Sequence, residues 1–174
     1  MYVALSGQMA MQERLMTVAN NVANMRTAGF RAETVNFDTV FSDYRRDRVA
    51  FASAGTTHID RTTGPVEATG NPLDVAIAGE GWFGIQTPEG RAYTRDGRFN
   101  VSPFGQLVTL TGHNVIDEGG APIALDPGGG PITIGVDGRI EQGGNEVAVL
   151  GLFDIPQDAN LSRYGDSAVR TDVP

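Results

Sequence analysis

The sequence of 174 residues contains no cysteine, no lysine and only two histidines. The lack of cysteine excludes a disulfide framework and a thiolate metal site. All 13 basic residues are arginines and the formal net charge is −8. This balance argues against a nucleic-acid surface, which carries a net basic patch. No apolar run approaches the roughly 18 residues of a membrane-spanning helix. The N-terminus lacks the basic start and apolar core of a secretory signal, so we predict no cleaved signal.

Motifs that carry chemistry are also scarce. Residues 79–84 match the pattern G-x-G-x-x-G, but the residues after them have the pattern of a strand, and a dinucleotide site needs a helix at that point. His113 lies close in sequence to Asp117 and Glu118, a set that a hydrolase or a metal site could use. Both flanking segments have the composition of turns, so we interpret His113 as a turn residue. We predict no catalytic residue, no metal site, no cofactor and no small-molecule substrate.

The most prominent pattern in the sequence is one long amphipathic helix at the N-terminus. Its apolar positions alternate at intervals of three and four, which is typical of a helix that packs on other helices. We call these residues the seam, in which Gln8 is the one polar member: Met1, Ala4, Gln8, Met11, Leu15, Val18, Val22 and Met25. A second apolar row lies beside the seam: Leu5, Met9, Met16, Ala19 and Ala23. We predict that the helix ends near residues 26–28, with Gly29 in the left-handed conformation common after helix C-termini.

The rest of the sequence offers no second long helix to cover the seam. Each large apolar side chain left in water costs about 1.5–3 kcal/mol, so the seam must pack on the β-rich remainder or on another molecule. We favour another molecule, because the seam is unbroken and a long polar connection follows it. Asn20, Asn21 and Asn24 lie beside the seam. They indicate either a fraying helix end or amides that hydrogen-bond to neighbouring chains and fix their axial register.

From residue 70 onward the sequence alternates between short apolar segments and glycine turns. Pairs such as Asp137-Gly138 and Gly143-Gly144 are typical of hairpin turns. We predict strands at residues 73–77, 82–87, 92–94, 99–101, 107–109, 115–116, 132–134, 139–141 and 147–153. The predicted fold class is α+β, mainly β, with a long N-terminal helix in residues 1–30 and a compact antiparallel β domain in residues 70–155. Residues 31–69 are predicted to be an extended connector with one short hairpin.

The last segment, residues 156–174, is predicted to be a polar tail. Its apolar residues Leu161, Tyr164 and Val169 are too sparse to define an element.

The segment Ala-Asn-Asn-Val-Ala-Asn at residues 19–24, followed by Thr27, Gly29 and Phe30, resembles the N-terminal signature of the bacterial flagellar rod and hook family of axial proteins. The β region agrees with that family at residues 73–77, 81–83, 93–97 and 105–108. Within the family, residues 71–74 and 112–120 are most similar to the proximal-rod branch. The distal-rod paralogue is the close alternative.

This resemblance implies a structural, self-associating subunit of the basal-body rod. Such a subunit is exported by the flagellar type III apparatus and polymerises across the periplasm with copies of itself and other rod proteins, as motility requires. The assembly residues expected on the helix and just after it are Leu5, Met11, Leu15, Val18, Asn20, Asn21, Val22, Asn24, Met25, Gly29 and Phe30.

Two points stay open at the level of the sequence. Members of the family usually end in a C-terminal helix that pairs with the N-terminal one, and residues 156–174 show no such pattern, so either the chain is incomplete or it packs differently. The rival from another class is a carbohydrate- or surface-binding β module whose helix covers its own sheet.

Overall fold

The computed structural model describes residues 2–37, 39–44, 47–52, 56–165 and 167–173. In these residues the chain forms one helix, α1 (Tyr2–Ala23), followed by a series of short strands. The strands are β1 (Glu33–Asn36), β2 (Thr39–Tyr44), β3 (Asp47–Ala52), β4 (Thr56–Ile59), β5 (Trp82–Thr87), β6 (Gly90–Thr94), β7 (Phe99–Val101), β8 (Leu107–Thr109), β9 (Asn114–Val115), β10 (Ile132–Ile134), β11 (Arg139–Gln142), β12 (Asn145–Val149), β13 (Leu152–Phe153), β14 (Leu161–Tyr164) and β15 (Ala168–Thr171).

The chain divides into two compact units. The first, which we call the helix–connector unit, consists of Met1–Arg26 and Arg31–Thr62. The second, which we call the β unit, consists of Thr27–Phe30 and Thr63–Pro174. The four residues Thr27–Phe30 therefore belong to the β unit, although they follow the helix closely in sequence.

In the helix–connector unit, α1 lies beside β1 and β3. Strands β2 and β3 form an antiparallel hairpin, and β1 pairs antiparallel with β4 from Glu33–Ile59 to Asn36–Thr56. The short hairpin expected in the connector is thus present, and a second strand pair lies outside it. The helix does not combine the length and apolar content of a membrane-spanning helix, and the described residues contain no other candidate.

The β unit is built around an antiparallel sheet of eight strands. Seven of them run in the order β14-β15-β6-β5-β9-β8-β7, while β13 pairs with β5, and a separate sheet has the order β10-β11-β12. Strand pairing brings apolar residues from both sheets together in one core: Phe83, Phe99, Leu107, Val115, Ile123, Leu125, Ile140 and Leu150. The predicted α+β, mainly β fold class is confirmed.

Most of the predicted strands from residue 82 to residue 153 are present within a residue or two. The strand predicted at residues 73–77 is wrong: its backbone pairing is limited to an isolated bridge between Asp74 and Arg98. Asn71 and Thr69 donate side-chain hydrogen bonds to the carboxylate of Asp74 at 2.8 and 2.7 Å, and such local bonds compete with strand pairing. The alternating apolar residues Leu73, Val75 and Ile77 pack against the core all the same.

The prediction of no element in residues 156–174 is also wrong. Strands β14 and β15 pair antiparallel there, and β15 pairs with β6 through Val169–Tyr93 and Ala168–Thr94. Ala168 and Val169 are buried. A short strand that pairs with an existing sheet needs few apolar residues of its own, because its side chains pack against those of the neighbouring strand. Sparse apolar residues therefore do not exclude a strand here.

The helix ends earlier than predicted, at Ala23. Residues 24–26 continue as a turn, in which the N–H of Asn24 donates to the carbonyl of Asn20 at 3.0 Å. Three asparagines in the last turn lower the local helix propensity, which accounts for the early end. Gly29 has the predicted left-handed conformation, with φ of +68°, but it lies beyond this turn rather than at the end of the helix.

Candidate assembly surface on the N-terminal helix

The large side chains of the seam are exposed to solvent. Each of the following is at least half exposed: Met11 65%, Leu15 68%, Val18 51%, Val22 61% and Met25 70%. Leu5, in the second apolar row, is 52% exposed. Met1 lies outside the described residues. Among the described residues of the helix–connector unit, the strands therefore leave the large side chains of the seam uncovered.

The side of α1 that is partly buried is a different one. Apart from Gly7, which lies beside the seam, the half-buried residues recur at helical spacing and are small or polar: Ser6, Ala10, Thr17, Asn21 and Asn24. On an ideal helix, with about 100° per residue, the centre of this group lies more than a third of a turn away from the centre of the seam. We call this side the flank. Since α1 lies beside β1 and β3 within its own unit, its least apolar side is the one that is partly covered.

The three asparagines make hydrogen bonds within the chain. Asn21 donates from Nδ2 to the carbonyl oxygen of Glu33 at 2.8 Å, and its Oδ1 accepts the N–H of Glu33 at 3.0 Å. Asn24 donates from Nδ2 to Oδ1 of Asn20 at 2.7 Å. For Asn21, these two bonds within the chain use one donor and one acceptor of its amide.

Gly29 and Phe30 dock on the β unit, to which they belong. A Cβ atom added to Gly29 would overlap the backbone of Arg95 and Asp96. Phe30 is half-buried, and the guanidinium carbon of Arg163 lies 4.5 Å from the centre of its ring, within the range of a cation–π interaction. The segment is thus held by a close backbone approach that only glycine permits and by one aromatic stack.

The surface that receives Gly29 is held in place by a bidentate ion pair. Arg98 donates from Nε and a terminal nitrogen to the two carboxylate oxygens of Asp96 at 2.9 and 2.7 Å. This hydrogen bonding raises the pKa of Arg98. Asp96 is buried, and its N–H donates to the hydroxyl of Thr94 at 3.0 Å. The sequence offered no indication that Arg163 and Asp96 would meet residues 29–30.

A second charged contact lies where the connector begins and ends. Arg31 is buried; burial lowers the pKa of its guanidinium, and the charge of Asp60 opposes that shift. Oδ1 of Asp60 accepts the N–H of Thr62 at 2.8 Å. The hydrogen bonds from Thr62 lower the pKa of Asp60, assisted by the nearby charges of Arg31 and His58.

The residues that the sequence singled out for chemistry occupy turns. His113 follows β8, where its N–H donates to the hydroxyl of Thr109 at 3.1 Å and its carbonyl accepts the N–H of Thr109. Asp117 uses Oδ1 to accept the N–H of Ala121 at 2.8 Å in the next turn. Among the described residues, no group of three or more histidine or acidic side chains is placed to hold a metal ion. Residues 79–84 lead into strand β5 and not into a helix.

Two family models match the chain, one over the N-terminal helix and the residues that follow it, the other over part of the β unit. Residues 1–31 match the model described as flagella basal body rod protein, and residues 76–142 match the model described as flagellar hook protein FlgE/F/G D1 domain. Together with the exposed apolar helix and the β unit, these two matches place the chain in the class of flagellar rod and hook proteins.

Individual relatives narrow the class further. The chain is 47% identical over 169 residues to the flagellar basal-body rod protein FlgF of Mesorhizobium japonicum, covering 97% of this chain and 70% of the relative. It is 38% identical over 175 residues to FlgF of Caulobacter vibrioides, covering 98% and 71%. The similarity to the rod protein FlgG of Bacillus subtilis is lower, at 34% over 190 residues, covering 98% and 72%.

The chain belongs to the FlgF family of flagellar basal-body rod proteins, as a structural subunit located in the rod of the basal body. The prediction from the signature at residues 19–30 is confirmed. The lower identity to FlgG disfavours the distal-rod alternative, and family membership replaces the interpretation as a carbohydrate-binding module.

Proposed function

We propose that the seam of α1 is the surface through which this subunit binds helices of neighbouring rod subunits, both copies of itself and related rod proteins, in a helical tube that crosses the periplasm. One observation carries the proposal: Leu15, Val18 and Val22 are each at least half exposed. Burying such a side chain on association contributes about 1.5–3 kcal/mol, which gives the seam a strong tendency to bind another apolar helix.

The shape of the surface near the start of α1 supports a helical partner. A shallow, largely apolar depression is lined by Ala4, Gly7, Gln8, Met11, Gln12 and Leu15. Apart from the neighbouring backbone of the helix itself, no described atom lies within 4 Å of the Cβ position of Gly7. Helices pack by inserting side chains of one into depressions between side chains of the other. Gly7 leaves room for such an inserted side chain.

The remaining assembly residues have different proposed roles. Leu5 extends the apolar surface beside the seam, and we keep it as a contact residue there. The paired amides of Asn20 and Asn24 lie on the side of the helix away from the seam, and we keep them as contact residues for a neighbour on that side. Gly29 and Phe30 are engaged by the β unit. We propose that these two act through the folding of that unit and make no direct contact with a neighbour.

The proposal is tested by changing Leu15 and Val18 together to Asp. The matched control, Leu15→Met with Val18→Leu, alters the same two side chains but keeps them apolar. We expect the Asp variant to be absent from purified basal bodies by immunoblot, with the β unit still folded by circular dichroism, and the control to be incorporated. Incorporation of the Asp variant would overturn the proposal. Unfolding of the β unit in the Asp variant would instead show that the seam is part of an internal core.

We also propose that the subunit reaches the rod through the flagellar type III export apparatus. Membership of the rod protein family supports this route. In a strain without a functional export gate, the epitope-tagged chain is expected to accumulate in the cytoplasm. Detection of the chain in the periplasm of that strain would contradict the proposal.

A further inference from the structure

The bonds between Asn21 and Glu33 complete the edge of a strand. In an antiparallel pair, residues alternate between those that bond to the partner strand and those whose N–H and C=O point away from it. Asp60 donates its N–H to the carbonyl of Ala32 at 2.8 Å, so the next residue, Glu33, directs its backbone groups away from β4. The amide of Asn21 meets both of them, at 2.8 and 3.0 Å. Asn21 thus acts toward β1 as a residue of a third strand.

These bonds join the connector to one particular side of the helix. Asn21 lies on the flank of α1, and the flank is the partly buried side, whereas Val18 and Val22 of the seam are 51% and 61% exposed. The connector carries apolar residues of its own, Val35 and Phe37, which are only half-buried. The same helix therefore carries a more apolar surface, the seam, whose centre lies more than a third of a turn from that of the flank.

Apolar contact alone would not choose the flank. The hydrophobic effect is non-directional and grows with the apolar area removed from water, so it favours packing of Val35 and Phe37 against the seam. Hydrogen bonds are directional and require a donor and an acceptor at fixed distances. The flank has this pair of groups in Asn21, and the large seam side chains after Gln8 have none, because they are hydrocarbon chains or thioethers.

We propose that Asn21 is a positioning residue that holds the connector on the flank of α1 and thereby keeps the seam open for the next subunit. The inference rests on the proposed function of the seam as an assembly surface. It gives Asn21 a role in assembly without a contact to any neighbour: in its absence the chain's own connector competes for the surface that a partner needs.

Because the chain has no cysteine, a single introduced thiol reports the exposure of its own site. Two reporters are made, Leu15→Cys on the seam and Ala10→Cys on the flank, and each is labelled with a maleimide in the monomeric chain of 174 residues. With Asn21 present, we expect the seam reporter to react at least about tenfold faster than the flank reporter. With Asn21→Ala, we expect this ratio to fall at least fivefold, because the flank opens and the seam becomes covered.

Two further variants separate positioning from a general effect on the helix. Asn20→Ala removes an amide one position earlier, does not touch Glu33, and is expected to leave the ratio unchanged. Asn21→Gln keeps a donor and an acceptor and is expected to restore part of the ratio. Alanine is the strongest helix former, so helix content by circular dichroism should be maintained in both alanine variants.

An unchanged ratio in Asn21→Ala would overturn the inference, as would an equal fall in Asn20→Ala and Asn21→Ala. A measurement on the unaltered chain is independent of any variant: the amide of Glu33 must exchange slowly with solvent deuterium, and fast exchange would also overturn the inference. The outcome for the seam itself is separate. If the variant with both Leu15→Asp and Val18→Asp enters the rod, the proposed function of the seam is wrong. If that variant is excluded from the rod but the labelling ratio is the same with Asn21 and with Asn21→Ala, only the proposed role of Asn21 is wrong.

Discussion

At the scale of single residues, the signature in residues 19–30 has a division of tasks. Val22 faces outward on the seam, Asn21 binds the connector, and Gly29 and Phe30 bind the β unit. Apolar periodicity predicts the first of these, because a seam is a property of local spacing. It cannot predict the second, because the partner of Asn21 is a backbone group 12 residues away that leaves no trace in the side-chain pattern.

Gly29 offers a sharp test at this scale. Gly29→Ala must adopt a left-handed φ, which costs about 1–2 kcal/mol, and must also push its Cβ into the backbone of Arg95 and Asp96. The control is Gly70→Ala, at φ +79° with no atom within 4 Å of the added Cβ, where only the conformational cost applies. We expect Gly29→Ala to lower the free energy of unfolding of the β unit by at least about 1 kcal/mol more than the control. Equal losses in urea titrations would show that the docking of residues 29–30 contributes nothing to stability.

At the scale of elements, the sequence predicts a strand correctly where turn residues mark both of its ends. Gly143 and Gly144 have φ values of +58° and +84° between β11 and β12, as the Gly-Gly pair predicts. The prediction of strands is wrong where pairing depends on a partner far away in the sequence. The hairpin of β14 and β15 attaches to β6, about 75 residues earlier, and residues 73–77 have strand periodicity but find only one bridge.

Asp60, the residue after β4, leads us to predict that the stability of the helix–connector unit falls in acid. The pKa of Asp60 is lowered in the folded chain by its hydrogen bonds with Thr62, so its contribution to stability is fully present above the pKa of an unfolded aspartate, about 3.9. That contribution is lost as the pH falls through the lower, folded pKa. We expect Asp60→Asn to reduce the acid sensitivity of the helix–connector unit, followed by helix ellipticity in urea from neutral pH to below pH 3.9.

The control for this experiment is Glu13→Gln, which removes an exposed carboxylate from the same unit. It is expected to keep the acid sensitivity of the unaltered chain. Because Asp60 is largely exposed, the expected difference between the two variants is small. It must be measured as a change in the slope of the free energy of unfolding against pH. Identical slopes for all three chains would rule out Asp60 as a source of acid sensitivity.

At the scale of the whole molecule, the sequence indicated a helix, a connector and a β domain in series. In the structure, residues 31–62 of the connector belong to the same compact unit as the helix, and Thr27–Phe30 belong to the β unit. The signature at residues 19–30 therefore spans both units, one half contributing Asn21 and Val22 and the other Gly29 and Phe30. The two halves of the signature therefore make different contacts within a few positions of each other. The first half contacts the connector, and the second half contacts the β unit.

A structural role for the whole chain makes a prediction about its histidine in the β unit. The backbone of His113 forms the turn after β8 through Thr109, and its ring lies 5.8 Å from that of Tyr164. His113→Gln leaves the backbone bonds intact and loses only the ring contact, so we expect a loss in the free energy of unfolding within about 1 kcal/mol and normal swimming in motility agar. A general acid or base would behave differently, because its removal typically costs about 10²–10⁴ in rate. A variant that folds and enters the rod but does not support swimming would mean that His113 has a chemical role in addition to its place in the turn.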